Sequence, residues 1–232
     1  MTLAKHLPNL FTSLNLFSGC LGIHAVTSGE LWMAPYFVLA GAFFDFLDGF
    51  TARLVGSDSE IGKELDSLAD LVTFGVLPAF VMLKMLQASD ANMGWLAYSA
   101  FLIAIFSALR LAKFNVDTLQ KDVFIGVPTP ANAVFITGLT FWLNSDYAVI
   151  LNNQYFLLFV VIVSSLIMVS PFRFIALKFK SKGWNGNQAK FVLLIGALLL
   201  IILFKELAAS LIILWYILIS MFENLLLSKR PQ

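Results

Sequence analysis

Long apolar stretches dominate this chain and decide what it can fold into. A bilayer core about 30 Å thick requires roughly 20 apolar residues in a helix that spans it. Segments of this kind cover residues 8–27, 32–54, 61–87, 93–113, 128–144, 148–170, 189–204 and 206–226. We therefore expect an all-α fold, a polytopic membrane helix bundle with six to eight transmembrane helices and eight as the best estimate. Only Lys205 and Glu206 separate the last two segments, which form either a tight hairpin or one longer broken helix.

Composition excludes several classes of protein. Apolar residues make up 59% of the chain and charged residues 12%, whereas soluble domains have about 45–50% and about 25%. The net charge of +1 provides no basic field to attract a nucleic acid. The single cysteine, Cys20, excludes an intrachain disulfide. A disordered chain, a nucleic-acid binder and a secreted disulfide scaffold are thereby excluded, and membrane lipids are the expected surroundings.

The distribution of cations predicts the orientation of the helices. With the N-terminus in the cytoplasm, every lysine and arginine except Lys84 and Lys205 falls on the cytoplasmic side. Loops rich in lysine and arginine are retained on that side of a membrane. We therefore expect residues 1–232 to form a single integral membrane domain of the cytoplasmic (inner) membrane, in an N-in/C-in orientation.

Four aspartates interrupt the second and third apolar segments. Asp45 and Asp48 are spaced i, i+3, and Asp66 and Asp70 are spaced i, i+4, so each pair lies on one face of its helix. Asp45 lies nine residues before the end of its segment, and Asp70 lies nine residues after the start of the next. At 1.5 Å per residue both are roughly 13 Å from the same side of the membrane. We expect the two pairs to face each other near the cytoplasmic side.

Carboxylates at this depth indicate a functional site, because each costs several kcal/mol in lipid. Four like charges so close together would repel one another strongly. Clustered oxygen ligands suit a hard divalent cation, Mg²⁺ or Mn²⁺, and two ions that share carboxylates suit phosphoryl chemistry. Arg53, at the mouth of this site, suits a bidentate contact with a diphosphate, although an interfacial anchor is the other interpretation of this side chain.

An ion or proton transporter that uses the carboxylates as a relay is the alternative of a different class. Such transporters contain inverted repeats and broken helices near the middle of the membrane. The sequence contains no convincing repeat, and the aspartates are predicted to lie off-centre. A catalytically inactive scaffold is a third possibility, but all four aspartates are present.

The aspartates belong to a longer pattern that resembles the signature of the CDP-alcohol phosphatidyltransferase family. All eight fixed positions and all gaps match; they are Asp45-x2-Asp48-Gly49-x2-Ala52-Arg53-x8-Gly62-x3-Asp66-x3-Asp70. In that family a divalent-metal centre binds the diphosphate of a CDP-linked lipid, an alcohol hydroxyl attacks the lipid-side phosphorus, and CMP leaves. The resemblance implies an enzyme whose active site faces the cytoplasm, and membrane helices that often form a homodimer.

The resemblance also implies roles for individual residues. The metal ligands would be Asp45, Asp48, Asp66 and Asp70, with Asp70 also the proposed general base. The CDP-lipid would contact Gly49, Ala52, Arg53, Ser59 and Gly62. Asn9, Thr12 and Asn15 in the first segment either hydrogen-bond the cytidine or seat that segment against the others.

The segments around the signature look like those of phosphatidylserine synthases within this family. These segments are residues 8–19, 66–76, 110–115 and 124–131. The resemblance spans residues 5–135, the predicted catalytic region, and leaves 136–232 as additional transmembrane helices. It implies CDP-diacylglycerol and L-serine as substrates, with glycerol-3-phosphate or myo-inositol as alternative acceptors.

Serine would bring a carboxylate and an ammonium group to a partly buried pocket. Arg110, Lys113 and Lys121 are the cations predicted near the cytoplasmic side that suit the carboxylate. Asn115, Asp117 or Asp122 suits the ammonium group. Interfacial anchoring is the alternative for each cation. A phosphorylated acceptor would require more buried cations than these three.

Overall fold

A computed structural model describes residues 6–56, 59–89, 93–116, 124–175, 183–184 and 187–228. The helices are α1 Leu7–Thr27, α2 Ala34–Val55, α3 Glu60–Asp70, α4 Leu77–Ser89, α5 Leu102–Val116, α6 Thr129–Gly138, α7 Ala148–Leu151, α8 Gln154–Met168, α9 Gln188–Phe204 and α10 Ala208–Ser228. Tighter 3₁₀ turns occupy Leu31–Met33, Gly94–Phe101, Leu139–Asn144 and Lys205–Leu207, and a wider π turn occupies Leu71–Val76. The helical architecture is as predicted. One departure is a short antiparallel pair of strands, β1 Phe124–Ile125 and β2 Arg173–Phe174.

Among the residues that the structure describes, four helical stretches are long and apolar enough to cross a membrane: Leu7–Thr27, Glu60–Ser89, Gly94–Val116 and Gln188–Leu225. They indicate an integral membrane protein. The predicted number of spans and the N-in/C-in orientation remain predictions.

The last apolar stretch folds back on itself. Lys205, with φ of 50°, separates α9 from α10. A β-carbon added to Gly196 of α9 would overlap the indole of Trp215 in α10. This close packing across the turn identifies the two segments as a hairpin, which decides between the two forms that the sequence left open.

The predicted segment 148–170 is interrupted. The short helix α7 ends before Asn152, and Asn153 then caps the N-terminus of α8 by accepting a hydrogen bond of 2.9 Å from the backbone N–H of Tyr155. Asparagine is a favoured N-cap because its side-chain oxygen satisfies an amide that lacks a partner within the helix. The prediction of one continuous segment over residues 148–170 missed this break.

The stretch Glu60–Ser89 lies at the centre of the bundle. Of its most apolar window, 61% is buried, compared with 11% for Gln188–Leu225. It continues through Pro78, whose ring in a regular helix would clash with the carbonyl four residues earlier. The wider π turn at Leu71–Val76 directly precedes this proline and accommodates it.

Three helices meet at Thr73 within the π turn. Its hydroxyl donates a hydrogen bond of 2.9 Å to the backbone carbonyl of Asn15 in α1. A β-carbon on Gly19 would lie 2.5 Å from Thr73 Oγ1, and one on Gly41 would lie 2.9 Å from Asn15 Oδ1. Small residues let helix backbones approach closely in a membrane. This junction fixes α1 and α2 beside Asp70, one turn before Thr73.

The C-terminal hairpin packs onto the strand pair through a second apolar cluster, whose buried members are Val127, Met168, Phe174, Ile175, Leu193 and Tyr216. Next to it, Gly126 adopts a φ of 74°, and its N–H donates 2.9 Å to the carbonyl of Phe172. A β-carbon on Gly126 would overlap the carbonyl oxygen of Met168. Only glycine fits this close approach of two backbones.

Gly126→Ala should therefore lower stability more than Gly56→Ala. Both glycines have positive φ, 74° and 62°, so each alanine carries a conformational cost of about 1–2 kcal/mol. Nothing lies within 4 Å of a β-carbon on Gly56, so its alanine variant is the matched control without a clash. Thermal unfolding of the purified variants in detergent measures the difference, and equal shifts of the midpoint would contradict the packing described for Gly126.

Candidate active site

Three of the four predicted metal-binding aspartates come together between α2 and α3. One carboxylate oxygen each from Asp45, Asp48 and Asp66 lies within 4.8 Å of the other two. The position of α3 is set locally by Ser59, its N-cap, whose hydroxyl accepts a hydrogen bond of 2.9 Å from the N–H of Gly62. The capping bond starts the helix so that Asp66 faces α2.

Asp70 lies one turn further along α3 and is not part of this group of three. Its Oδ1 accepts a hydrogen bond of 2.9 Å from Asn15 Nδ2. It still interacts electrostatically with Asp45 and Asp66. Asp70 is thus held at the inner end of the site with one oxygen engaged by α1.

The carboxylates suit a hard divalent cation. Within the part of the chain that the structure describes, Asp66 Oδ1 is buried and has no hydrogen-bond partner. An unsatisfied buried carboxylate oxygen is costly, and three grouped carboxylates are the donor set that Mg²⁺ or Mn²⁺ prefers. Asp48 is only 6% exposed, and its Oδ2 accepts a hydrogen bond of 2.7 Å from Thr12. Three of the four predicted ligands, Asp45, Asp48 and Asp66, therefore form a group that could hold a metal ion.

An open cleft of about 110 Å³ adjoins the carboxylates. Six residues predicted to contact the CDP-lipid line it: Asn9, Thr12, Gly49, Ala52, Ser59 and Gly62. A β-carbon on Gly62 would lie 2.8 Å from Ser59 Oγ and 3.3 Å from Asn9 Oδ1. The absence of a side chain at Gly62 therefore keeps this end of the cleft open.

One cation lines the cleft, and a second lies beside it. The guanidinium of Arg53 does not line the cleft but folds back over Gly49, since a β-carbon there would lie 3.6 Å from Arg53 Nη1. Lys63 lines the cleft directly and was not among the residues predicted for the site. Its spacing of i, i+3 from Asp66, the same spacing that pairs Asp45 with Asp48, was the signal that would have identified it.

The polar residues of α1 were considered either to contact the cytidine or to seat α1 against the other helices, and the hydrogen bonds of α1 support the second role. Thr12 donates to Asp48, and Asn15 donates to Asp70. Both side chains are buried and seat α1 against the carboxylate helices. Thr12 and Asn9 also line the cleft, and Asn15 does not. Contact of Thr12 or Asn15 with a nucleotide remains a prediction.

Arg110 occupies a buried position near Asp70. It is 8% exposed, its Nη1 donates 3.1 Å to the hydroxyl of Thr129, and it interacts electrostatically with Asp70. Among the described residues, its buried Nε has no hydrogen-bond partner. A buried guanidinium with a free donor is a suitable anchor for a carboxylate.

The predicted acceptor residues are only partly brought together. Arg110 and Lys113 line a second, narrow cleft of about 10 Å³, together with Ile125, Met168 and Ser170. Ile125 belongs to the segment 124–131 that resembles phosphatidylserine synthases, whereas Met168 and Ser170 come from a part of the chain with no motif that would have identified them.

Asn115 is engaged elsewhere, since its Nδ2 donates 2.8 Å to Ser67 Oγ on an exposed surface. Its amide oxygen remains the acceptor group of interest. Asp117, Lys121 and Asp122 lie outside the described residues.

Comparison with known proteins identifies the family. The profile described as CDP-alcohol phosphatidyltransferase matches residues 5–159. A protein of Helicobacter pylori named CDP-diacylglycerol–serine O-phosphatidyltransferase is 40% identical over 182 residues, which cover 77% of this chain and 74% of that protein. Proteins of the same name from Bacillus subtilis (36% identical; 60% of this chain and 78% of the relative) and Methanocaldococcus jannaschii (35%; 58% and 60%) are also similar. The chain therefore belongs to the CDP-alcohol phosphatidyltransferase family.

Proposed function

We propose that this protein transfers a phosphatidyl group from CDP-diacylglycerol to L-serine, giving phosphatidylserine and CMP. The observation that carries the proposal is the group of three carboxylates beside an open cleft lined by the residues of the family signature. The relatives named CDP-diacylglycerol–serine O-phosphatidyltransferase support serine as the acceptor.

In this proposal Asp45, Asp48 and Asp66 hold Mg²⁺ or Mn²⁺, and Asp70 contributes to a second ion. The metal, when bound, offsets the charge of the diphosphate and polarises the phosphorus. Arg53 and Lys63 bind the outer diphosphate oxygens, and Asn9 and Ser59 line the space for the cytidine.

The acceptor hydroxyl forms a bond to the lipid-side phosphorus as the bond from that phosphorus to the CMP oxygen breaks. The hydroxyl proton passes to Asp70 late in the attack. Because Asn15 engages Oδ1 of this carboxylate, Oδ2 is the oxygen left for the proton or for a metal. Arg110 binds the serine carboxylate with help from Lys113, and the amide oxygen of Asn115 accepts from the ammonium group.

The proposal places the site at the cytoplasmic face of the inner membrane. Arg53, Lys63, Arg110 and Lys113 all lie at helix ends on the side that the cation distribution assigns to the cytoplasm. Serine and CMP are water-soluble and exchange there. A homodimer remains a prediction from the resemblance.

Asp66→Asn should abolish metal-dependent release of CMP. Replacing the charged carboxylate of a metal ligand with a neutral amide should lower the rate of CMP release by roughly 100-fold or more. Glu64→Gln is the matched control, because Glu64 is an exposed carboxylate on the same helix. The measurement is CMP release from CDP-diacylglycerol in detergent with Mn²⁺ or Mg²⁺, with and without L-serine.

Three results of this assay contradict parts of the proposal. Incorporation of glycerol-3-phosphate or myo-inositol but not serine would overturn the acceptor and keep the reaction class. Unchanged activity of Asp66→Asn would overturn the metal site. Sustained ion flux in liposomes without CDP-lipid, with no CMP release for any acceptor, would favour the transporter.

Arg53→Ala and Lys63→Ala should each raise KM for CDP-diacylglycerol by roughly tenfold, the effect expected from losing one hydrogen bond to a charged group. KM for serine should change little, because neither side chain lines the Arg110 cleft. Lys84→Ala is the control, since Lys84 lies on α4 away from both clefts. An equal rise of KM for CDP-diacylglycerol in all three variants would indicate that the loss of any positive charge on the protein causes the effect, and not the loss of a contact with the diphosphate.

Arg110→Lys should raise KM for L-serine by roughly tenfold or more, because lysine lacks the planar fork that binds a carboxylate. Inhibition by 2-aminoethanol, which has the ammonium and hydroxyl groups but no carboxylate, should be unaffected. Steady-state kinetics with both compounds test this assignment. Weakened binding of 2-aminoethanol to the same extent would show that Arg110 supports the pocket without contacting the carboxylate.

A further inference from the structure

The last helix carries a stripe of polar residues along one face. Tyr216, Ser220 and Asn224 are spaced i, i+4 and i+8 within the largely apolar α10. Residues at this spacing lie above one another on a helix. Tyr216 and Ser220 are 8% and 1% exposed, so the stripe faces the protein and not the lipid. We call these three residues the polar stripe.

All three residues of the polar stripe hydrogen-bond the backbone of one short segment. The hydroxyl of Tyr216 donates 3.2 Å to the carbonyl of Ile175, and the N–H of Ile175 donates 3.3 Å to Ser220 Oγ. Asn224 Nδ2 donates to the carbonyl of Arg173. The stripe therefore pairs with β2 and the residue after it as a neighbouring strand would.

The strand pair needs this support. A two-stranded pair is marginally stable by itself, and β1 and β2 contribute only two residues each, with Phe124 opposite Phe174 and Ile125 opposite Arg173. Unsatisfied backbone groups are especially costly next to lipid. The ring of Phe174 also packs against Tyr216, with centroids 5.8 Å apart. α10 thus supplies both hydrogen bonds and packing to β2.

The segment held by the polar stripe leads to the Arg110 cleft. Val127 N–H donates 3.2 Å to the carbonyl of Ile167, and Ile125 and Met168 line the cleft beside Arg110. Two residues after Val127, Thr129 accepts the hydrogen bond from Arg110 Nη1.

Tyr216 also lies in the neighbourhood of Arg110. The hydrogen bonds described above therefore link the position of Arg110 to α10.

We propose that Tyr216, Ser220 and Asn224 are positioning residues for the acceptor: they hold the strand pair, and through it Thr129 and Arg110, in the geometry that binds the acceptor carboxylate. The inference rests on the proposed function. It assigns a role in acceptor binding to the C-terminal hairpin. This hairpin lies beyond residues 5–159, which the family profile matches.

The test compares Tyr216→Phe and Ser220→Ala with the unmodified protein. Each variant removes one hydroxyl and retains the packing atoms. KM for L-serine should rise about 3- to 10-fold in each, the effect of one lost hydrogen bond. KM for CDP-diacylglycerol and the metal concentration for half-maximal activity should stay within about twofold, because no residue of the polar stripe lines the carboxylate cleft.

Ser210→Ala is the matched control. Ser210 lies on the same helix, is 1% exposed, and accepts a hydrogen bond of 2.9 Å from Trp142 Nε1. It lies six residues before Tyr216, near the start of α10, and its hydrogen bond joins α10 to the turn Leu139–Asn144. Ser210→Ala should lower the unfolding temperature in detergent to a similar extent and leave KM for serine unchanged.

Two results overturn the inference. The first is an unchanged KM for serine in both stripe variants. The second is an equal rise of KM for both substrates, which would show a purely structural role. An unmodified protein without serine-dependent CMP release overturns the proposed function and this inference with it, whereas an active protein with either result above overturns the inference alone.

Discussion

Repulsion among carboxylates withdrawn from water is the constraint on which this structure depends. Asp45, Asp48 and Asp66 converge where their charges are poorly screened. The surrounding elements counter this cost with donors: Thr12 binds Asp48, and Asn15 binds Asp70. α1 therefore does more than anchor the protein in the membrane. It supplies the neutral hydrogen-bond donors that allow the carboxylates of α2 and α3 to lie close together. The remaining electrostatic cost would be offset by a bound divalent cation, which the group of three carboxylates could hold.

The irregular parts of the helices serve the same site. The π turn at Leu71–Val76 places Thr73 against α1 directly after Asp70, and it accommodates Pro78. π turns within helices frequently occur at functional sites. Here the wider turn brings Thr73 into contact with α1 and α2. This junction of three helices supports both Asp70 and the group of three carboxylates.

Much of the molecule was predictable because lipid imposes simple rules. The apolar run 32–54 predicted a helix that the structure places at Ala34–Val55, and the spacing of the aspartates predicted that two helices would present them to each other. The rest depends on tertiary contacts that leave no local pattern. Nothing near Phe124–Ile125 indicates that it pairs with a segment almost fifty residues later, and Tyr216 looks like any aromatic residue of a membrane helix.

The outer surface of α2 has a consequence for kinetics. Its faces away from the carboxylates expose Phe43, Phe46 and Phe50, so a helix that carries the catalytic signature also borders the acyl chains. Under the proposed function, one substrate arrives by diffusion in two dimensions and the other in three. Saturation by the lipid is then governed by its mole fraction in the bilayer or micelle and not by its bulk concentration. Diluting the lipid surface with inert detergent at constant total CDP-diacylglycerol would slow such an enzyme.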